Sequence, residues 1–353
     1  MSEDNGGSQE RLNMKLKSIH SWLMIAVVAI ILLPSCSHIH QKDLCDLDST
    51  KTHVKIVFDW SQVVEKADPE GMVLFFYPVD GGKPMRYDLP GKEGGVIELP
   101  VGKYNILFYN NDTEANLYGN IEEFEKHRAF TRTVALLSKA FGNAVSTAPR
   151  GADTDKQRLV GSPEQMWGGP YRDIYELDSD ACELCKKRHG KFCNDTDEET
   201  NILVLTPRKY VREVTVIGRN IIGADRAREV KGALTGMSSD INIKTRQPGD
   251  EQVTQPFEVV LDKEKAHLNA HFYTFGHPDE EGKHYLDLYF VMEDGQKVHR
   301  RFDVTDQVRN APDPWHIVII IEELLLPPVL EDDSGLDPII DEWQTEEVDI
   351  ILH

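Results

Sequence analysis

Residues 52–60 read THVKIVFDW, with Val54, Ile56 and Phe58 at alternate positions. A period of two puts those three side chains on one face of a strand. Working outward, residues 72–78 (MVLFFYP) form a short apolar run ended by proline, the pattern of a buried strand. Asp80-Gly81-Gly82 is turn chemistry, and Gly94-Gly95 introduces a second short run, Val96 to Pro100. Val101-Gly102 then leads into residues 103–110 (KYNILFYN). Strands of this length, separated by Gly, Pro and Asp turns, predict an all-β sandwich rather than βαβ units.

The second half repeats the character. Residues 211–217, 230–237, 257–261, 268–275, 285–292, 298–304 and 316–321 all read as strands, with Glu293-Asp294-Gly295 as a hairpin turn. A last short strand is expected at Glu347 to Leu352, after Pro327-Pro328 and an acidic connection. Residues 121–128 (IEEFEKHR) are expected to form a short helix, and residues 142–165 a long loop. Order returns at Met166-Trp167-Gly168-Gly169 and at Tyr171 to Leu177, and the charged stretch 178–200 is placed at an exposed end. The expected organisation is a β-sandwich over 51–200 and another over 201–353, with no fixed-period repeat.

Ahead of these lies a different kind of segment. Trp22 to Leu33 (WLMIAVVAIILL) carries no charge, and Arg11, Lys15 and Lys17 precede it. Twelve apolar residues fall short of the roughly 20 that span a bilayer but suit the h-region of a signal peptide. Leu33-Pro34-Ser35-Cys36 then follows, a lipobox pattern: a small residue at the cut and a thiol to receive diacylglycerol. Residues 1–35 are therefore expected to be removed, with Cys36 lipidated and 36–50 a tether. Residues 2–10 (SEDNGGSQE) suit no n-region, whereas Met14 opens a basic one (MKLKSIHSW), so translation is expected to start at Met14 or residues 1–13 to be dispensable. With 60 acidic against 39 basic residues the net charge is −21, which repels phosphate backbones and argues against nucleic acid as a partner.

Several separated motifs then carry a resemblance. Phe58-Asp59-Trp60, Asp68-Pro69-Glu70-Gly71-Met72, residues 109–114 (YNNDTE), residues 272–276 (FYTFG), residues 302–307 (FDVTDQ), Ala311-Pro312-Asp313-Pro314 and Asp341-Glu342-Trp343-Gln344 stand in the order of a Bacteroidetes lipoprotein family. That family is a domain-of-unknown-function group similar to the FimB-type fimbrial anchor proteins, and the resemblance runs from about residue 44 to the end. It implies two tandem transthyretin-like, Greek-key β-sandwiches on a lipid anchor. It also implies an outer-membrane location, on the surface or the periplasmic face, and fimbrial subunits as partners joined by β-strand addition. A sheet edge satisfies its backbone groups with a partner's backbone, and alternate side chains fill pockets. The strand at 347–352 is a candidate for donation or for pairing within its own domain.

Chemistry beyond this is sparse. Cys182, Cys185, His189 and Cys193 have spacing compatible with a tetrahedral zinc site. In the oxidising compartment that export implies, disulfides among Cys182, Cys185 and Cys193, or with Cys45, compete with that reading, as do free thiols. His267 and His271 share a strand face about 13 Å apart, too far for one ion. No phosphate-cradling glycine loop, nucleophile elbow or His-Glu-x-x-His occurs, so no cofactor is expected and the chain does not read as an enzyme. The competing reading is a lipoprotein that binds glycans or host ligands through Trp167, Tyr171 or Trp315.

Overall fold

From Val54 to Phe58 every second residue of the opening strand, β1 (Lys51–Phe58), is buried, as its alternation predicts. The computed structural model describes residues 51–63, 67–134, 157–177, 201–278, 282–328 and 343–348. The strands that follow are β2 (Gly71–Pro78), β3 (Met85–Pro90), β4 (Gly95–Pro100), β5 (Gly102–Asn110), β6 (Leu117–Gly119) and β7 (Arg128–Phe130). Then come β8 (Arg158–Leu159), β9 (Trp167–Pro170), β10 (Tyr175–Leu177), β11 (Asn201–Leu205) and β12 (Arg208–Lys209). A three-stranded sheet, β11-β1-β4, faces a larger one ordered β12-β9-β5-β2-β3, with β10 also on β5. Val54, Ile56, Phe58, Leu203 and Leu205 from the small sheet meet Met72, Leu74, Phe76, Ile106 and Phe108 from the large one.

The second half contributes β13 (Arg212–Gly218), β14 (Ile221–Ile222), β15 (Ala227–Ser238), β16 (Asp240–Asn242), β17 (Gln252–Glu258) and β18 (Val260–Asp262). It continues with β19 (His267–Thr274), β20 (Tyr285–Met292), β21 (Lys297–Asp303), a helical turn α1 (Thr305–Arg309), β22 (His316–Ile321), β23 (Leu324–Leu325) and β24 (Trp343–Val348). Sheet β18-β19-β13-β22 packs on sheet β24-β21-β20-β15-β17-β8 around Val214, Val216, Leu286, Leu288, Phe290, Ile317 and Ile319. The described chain is thus all-β apart from short helical turns. Strand pairing crosses residue 200 in both directions. β11 and β12 sit in the first half's sheets, β8 runs parallel to β17, and β16 pairs with β7.

A third apolar cluster explains why β2 is buried along both faces. Val73, Phe75 and Tyr77 point away from Phe76 and pack with Leu107, Tyr109, Tyr210, Ile241, Ile243 and Phe275. At its centre His127 is fully buried between two tyrosines. Its Nδ1 lies 2.7 Å from the Tyr77 hydroxyl, and its Nε2 lies 3.0 Å from that of Tyr109. Tyr77 donates to the Ile121 carbonyl, so His127 Nδ1–H donates to Tyr77 and Nε2 accepts from Tyr109. This clamp overrides the helix expected at 121–128. The segment closes turns onto the Asn120 and Glu123 carbonyls, and His127 is drawn inward at the start of β7.

Two glycines are fixed by close approach. A Cβ on Gly168 would strike the Phe108 carbonyl and the Tyr109 Cα, because β5 and β9 pair there. Gly236 has φ +76° at the irregularity between β15 and β17, and a Cβ there would lie 2.7 Å from both the Lys283 carbonyl and His284 Nδ1. Gly236→Ala is expected to cost about 2–4 kcal/mol, strain and overlap combined, in a urea titration. An unchanged midpoint would show that the turn relaxes freely.

Candidate functional site: sheet edges and the C-terminal strand

An edge strand exposes one row of backbone donors and acceptors, and its use depends on what holds it in place. β24 is such a strand. It lies parallel to β21, with Lys297 opposite Trp343 and Phe302 opposite Val348. Towards the core, β21 presents Val298 and Phe302, fully buried, with Arg300 between them. Arg300 Nη2 pairs with Glu346 of β24 at 3.1 Å, and Val348 packs onto the same core. Burial pulls the Arg300 guanidinium below its ordinary range, and the Glu346 charge opposes that shift.

The opposite face of β20 and β21 carries a buried ionic cluster. Arg301 donates through Nε and Nη2 to the two Asp287 oxygens, each at 2.7 Å. His299 Nε2 lies 2.8 Å from Asp287 Oδ1, and its ring stacks on Tyr289 at 4.7 Å. Asp287 is 0%, His299 1% and Arg301 5% exposed. The other ring nitrogen of His299 lies 3.4 Å from Thr345 Oγ1, which ties the cluster to the register of β24.

β24 starts beside the place where the preceding described segment ends. Gln296 Nε2 donates to the Pro328 carbonyl at 3.1 Å, and β24 begins opposite Lys297. Both ends of the 329–342 connection therefore meet the Gln296–Lys297 corner. A second edge is at β11, parallel to β1. There Ile202 is 60% and Val204 49% exposed, in one sheet with Val96 at 57%. Apolar side chains clustered on an open face mark a contact surface more often than isolated ones do.

The residues singled out from sequence fall as follows. Cys36, Cys45, Cys182, Cys185, His189 and Cys193 all lie outside the described residues, as does the 349–352 part of the last strand. His267 and His271 lie on β19, where His271 Nε2 meets Glu213 at 2.6 Å. Trp167 is buried edge-on to Trp60, and Tyr171 is half-buried against Tyr175. Trp315 is half-buried beneath Arg212 and Arg246. His284 packs 5.2 Å from His277, and Gly236 leaves room for its ring. No group of three or more His, Cys, Asp or Glu placed to hold a metal ion occurs among the described residues. No described helix is long and apolar enough to cross a membrane.

Burial depresses both His127 and His284 to about 4. The unfolded chain binds those protons near pH 6.5, so stability is full above that value and falls as pH drops toward 4. Each histidine removes about 2 kcal/mol by pH 5. Thermal melts at pH 7.5 and pH 5 are expected to differ by about 8–15 °C, and His127→Phe should shrink the difference. Equal melting temperatures would contradict this.

The motifs that carried the family resemblance converge on backbone geometry rather than on a reactive centre. Glu70 N donates to Asp112 Oδ2 at 2.8 Å, and Asn111 N donates to the Gly71 carbonyl at 3.1 Å. Asn110 Oδ1 receives Trp167 N–H, and Asp303 Oδ1 receives the amide and hydroxyl of Thr305 at the start of α1. Residues 35–258 match the family described as Domain of unknown function (DUF5119). The chain belongs to the DUF5119 family.

This DUF5119 chain is 25% identical over 288 residues to the Bacteroides ovatus protein named "Putative fimbrium anchoring subunit Fim4B", covering 80% of this chain and 78% of that one. Among solved structures, a "putative adhesin" from Bacteroides ovatus superposes with a TM-score of 0.54 at 20% identity, over 84% of this chain and all of the other. The fimbrial anchor protein Mfa2 from Porphyromonas gingivalis gives a TM-score of 0.44 at 15% identity, over 77% and 90% of the two chains.

Proposed function

We propose that this DUF5119 chain is a lipid-anchored subunit of cell-surface fimbriae, an anchor or accessory component held in the outer membrane through Cys36. It joins its partners through β-sheet edges. The single observation that carries the joining mode is β24: a C-terminal strand at the edge of its sheet, paired with β21 among the described strands and beginning at the corner where Pro328 meets Gln296. When such a strand leaves its sheet it frees the β21 edge, and the vacated edge or the strand itself then pairs with a second chain. The named Bacteroides ovatus relative supports the fimbrial setting, and the motif resemblance supports the lipid anchor.

The test uses the full chain, affinity-tagged and expressed in a fimbriated Bacteroides host. Mass spectrometry of the purified complex is expected to find fimbrial subunits, and removal of residues 343–353 should abolish their recovery. Because that deletion also uncovers Val298 and Phe302, a second variant is needed. Lys297→Cys with Trp343→Cys sets thiols on facing strand positions and locks β24 into its own sheet. The locked chain stays folded and should recover subunits only after reduction. Equal recovery from the locked and the reduced chain would sink the proposed use of β24.

A further inference from the structure

One corner of the molecule runs against its overall charge. Arg208 and Lys209 form β12, Arg212 opens β13, and Arg246 lies in the turn after β16. The Arg246 guanidinium lies 5.1 Å from the Trp315 ring and 5.7 Å from that of Tyr210. The Arg212 guanidinium lies 5.9 Å from the same Trp315 ring. Arg246 is held there at φ +60°, a left-handed conformation that costs a side-chain-bearing residue about 1–2 kcal/mol. Its Nη2 donates to the Lys209 carbonyl at 2.6 Å, while its Nε is buried without a hydrogen-bond partner.

A chain of net charge −21 has carboxylates to spare, yet no described carboxylate pairs with Arg208 or Arg246. Burial and the nearby Arg208 cation both depress Arg246, with only the Tyr210 hydroxyl acting the other way. A partly desolvated guanidinium beside another cation is costly unless an anion arrives.

We propose that Arg246, with Arg212 over the same Trp315 ring and the Arg208 cation nearby, binds an acidic saccharide through its carboxylate or sulfate group. Guanidinium forks match the geometry of an oxyanion, and the half-buried Trp315 indole adds apolar surface beside them. A two-residue strand such as β12 offers too few ladder bonds to hold an added peptide strand, so recognition here rests on side chains. This site is independent of β24 and of the fimbrial reading.

The test is binding of fluorescent oligosaccharides to the detergent-solubilised full chain, in low and in physiological salt. Oligogalacturonate supplies carboxylates, a heparin-derived oligosaccharide supplies sulfates, and a maltooligosaccharide of equal length is neutral. At least one acidic probe is expected to bind tenfold or more tightly than the neutral one, and the stronger of the two identifies the oxyanion. Arg208 is exposed, so Arg208→Glu leaves the fold intact and should weaken that binding at least tenfold. Arg246→Gln should do the same, with its melting temperature recorded to separate lost binding from lost folding. The proposal is overturned by equal binding of acidic and neutral probes, by unchanged binding in Arg208→Glu, or by a polyglutamate peptide that binds as tightly as either sugar.

Discussion

A chain carrying Cys36→Ser is expected to incorporate no radiolabelled palmitate and to be lost from the outer-membrane fraction. The effect is all-or-none because the attachment chemistry has one acceptor atom. A serine hydroxyl does not take the diacylglycerol that a thiol accepts, and the signal peptidase then has no lipidated substrate. Buried acyl chain contributes about 0.8 kcal/mol per methylene, so one lipid group holds the protein far more firmly than a surface of net charge −21 could. Fractionation with carbonate extraction reads the outcome. If Cys36→Ser is still labelled and still found in the outer-membrane fraction, Cys36 is not the lipid site. Cys45→Ser is the matched control and should change neither reading.

The second large effect is Asp287→Ala, expected to destabilise the chain by about 3–5 kcal/mol. The substitution removes two Arg301 contacts to Asp287 and one from His299, inside a region almost closed to water. Removing one partner of a buried ion pair costs far more than the pair itself contributes. Exposed pairs set the contrast: Arg86 and Asp88 lie 2.8 Å apart with both side chains more than half exposed, and such pairs contribute at most about 1 kcal/mol. Calorimetry should show a fall of roughly 6–15 °C for Asp287→Ala. Asp88→Ala should stay within about 3 °C. A drop as small as that of Asp88→Ala would mean that water or another group relieves Arg301.

The strands were legible wherever one residue type dominated a face. Tyr285–Met292 and His316–Ile321 are observed with the limits their apolar runs suggested, and the hairpin at Glu293-Asp294-Gly295 closes with Gly295 at φ +88°. The missed features depend on partners distant in sequence. Residues 121–128 have helical composition, and only the tyrosines on β2 and β5 decide otherwise. β24 begins at Trp343 rather than Glu347, because its pairing follows β21 and not an apolar pattern of its own. The alternation in residues 298–302 (VHRRF) did carry a signal, since two arginines and a histidine in so apolar a setting ask for a buried acid. That acid, Asp287, lies 12 and 14 positions upstream on the neighbouring strand. Arg208 and Arg246 are likewise far apart in sequence, and neither neighbourhood points to the other.

The parallel pairing of β21 with β24 also sets a clock. Each residue of β24 is made 46 positions after its partner on β21. A chain that crosses a membrane N-terminus first therefore delivers β21 before the strand that covers its edge. β15, β17 and β20 are complete by then, so Val298 and Phe302 sit during that interval at the rim of an otherwise finished sheet. A nascent chain therefore offers a vacancy that the mature one has filled. Whatever meets it first, its own strand or another's, has the advantage of arriving at an assembled surface.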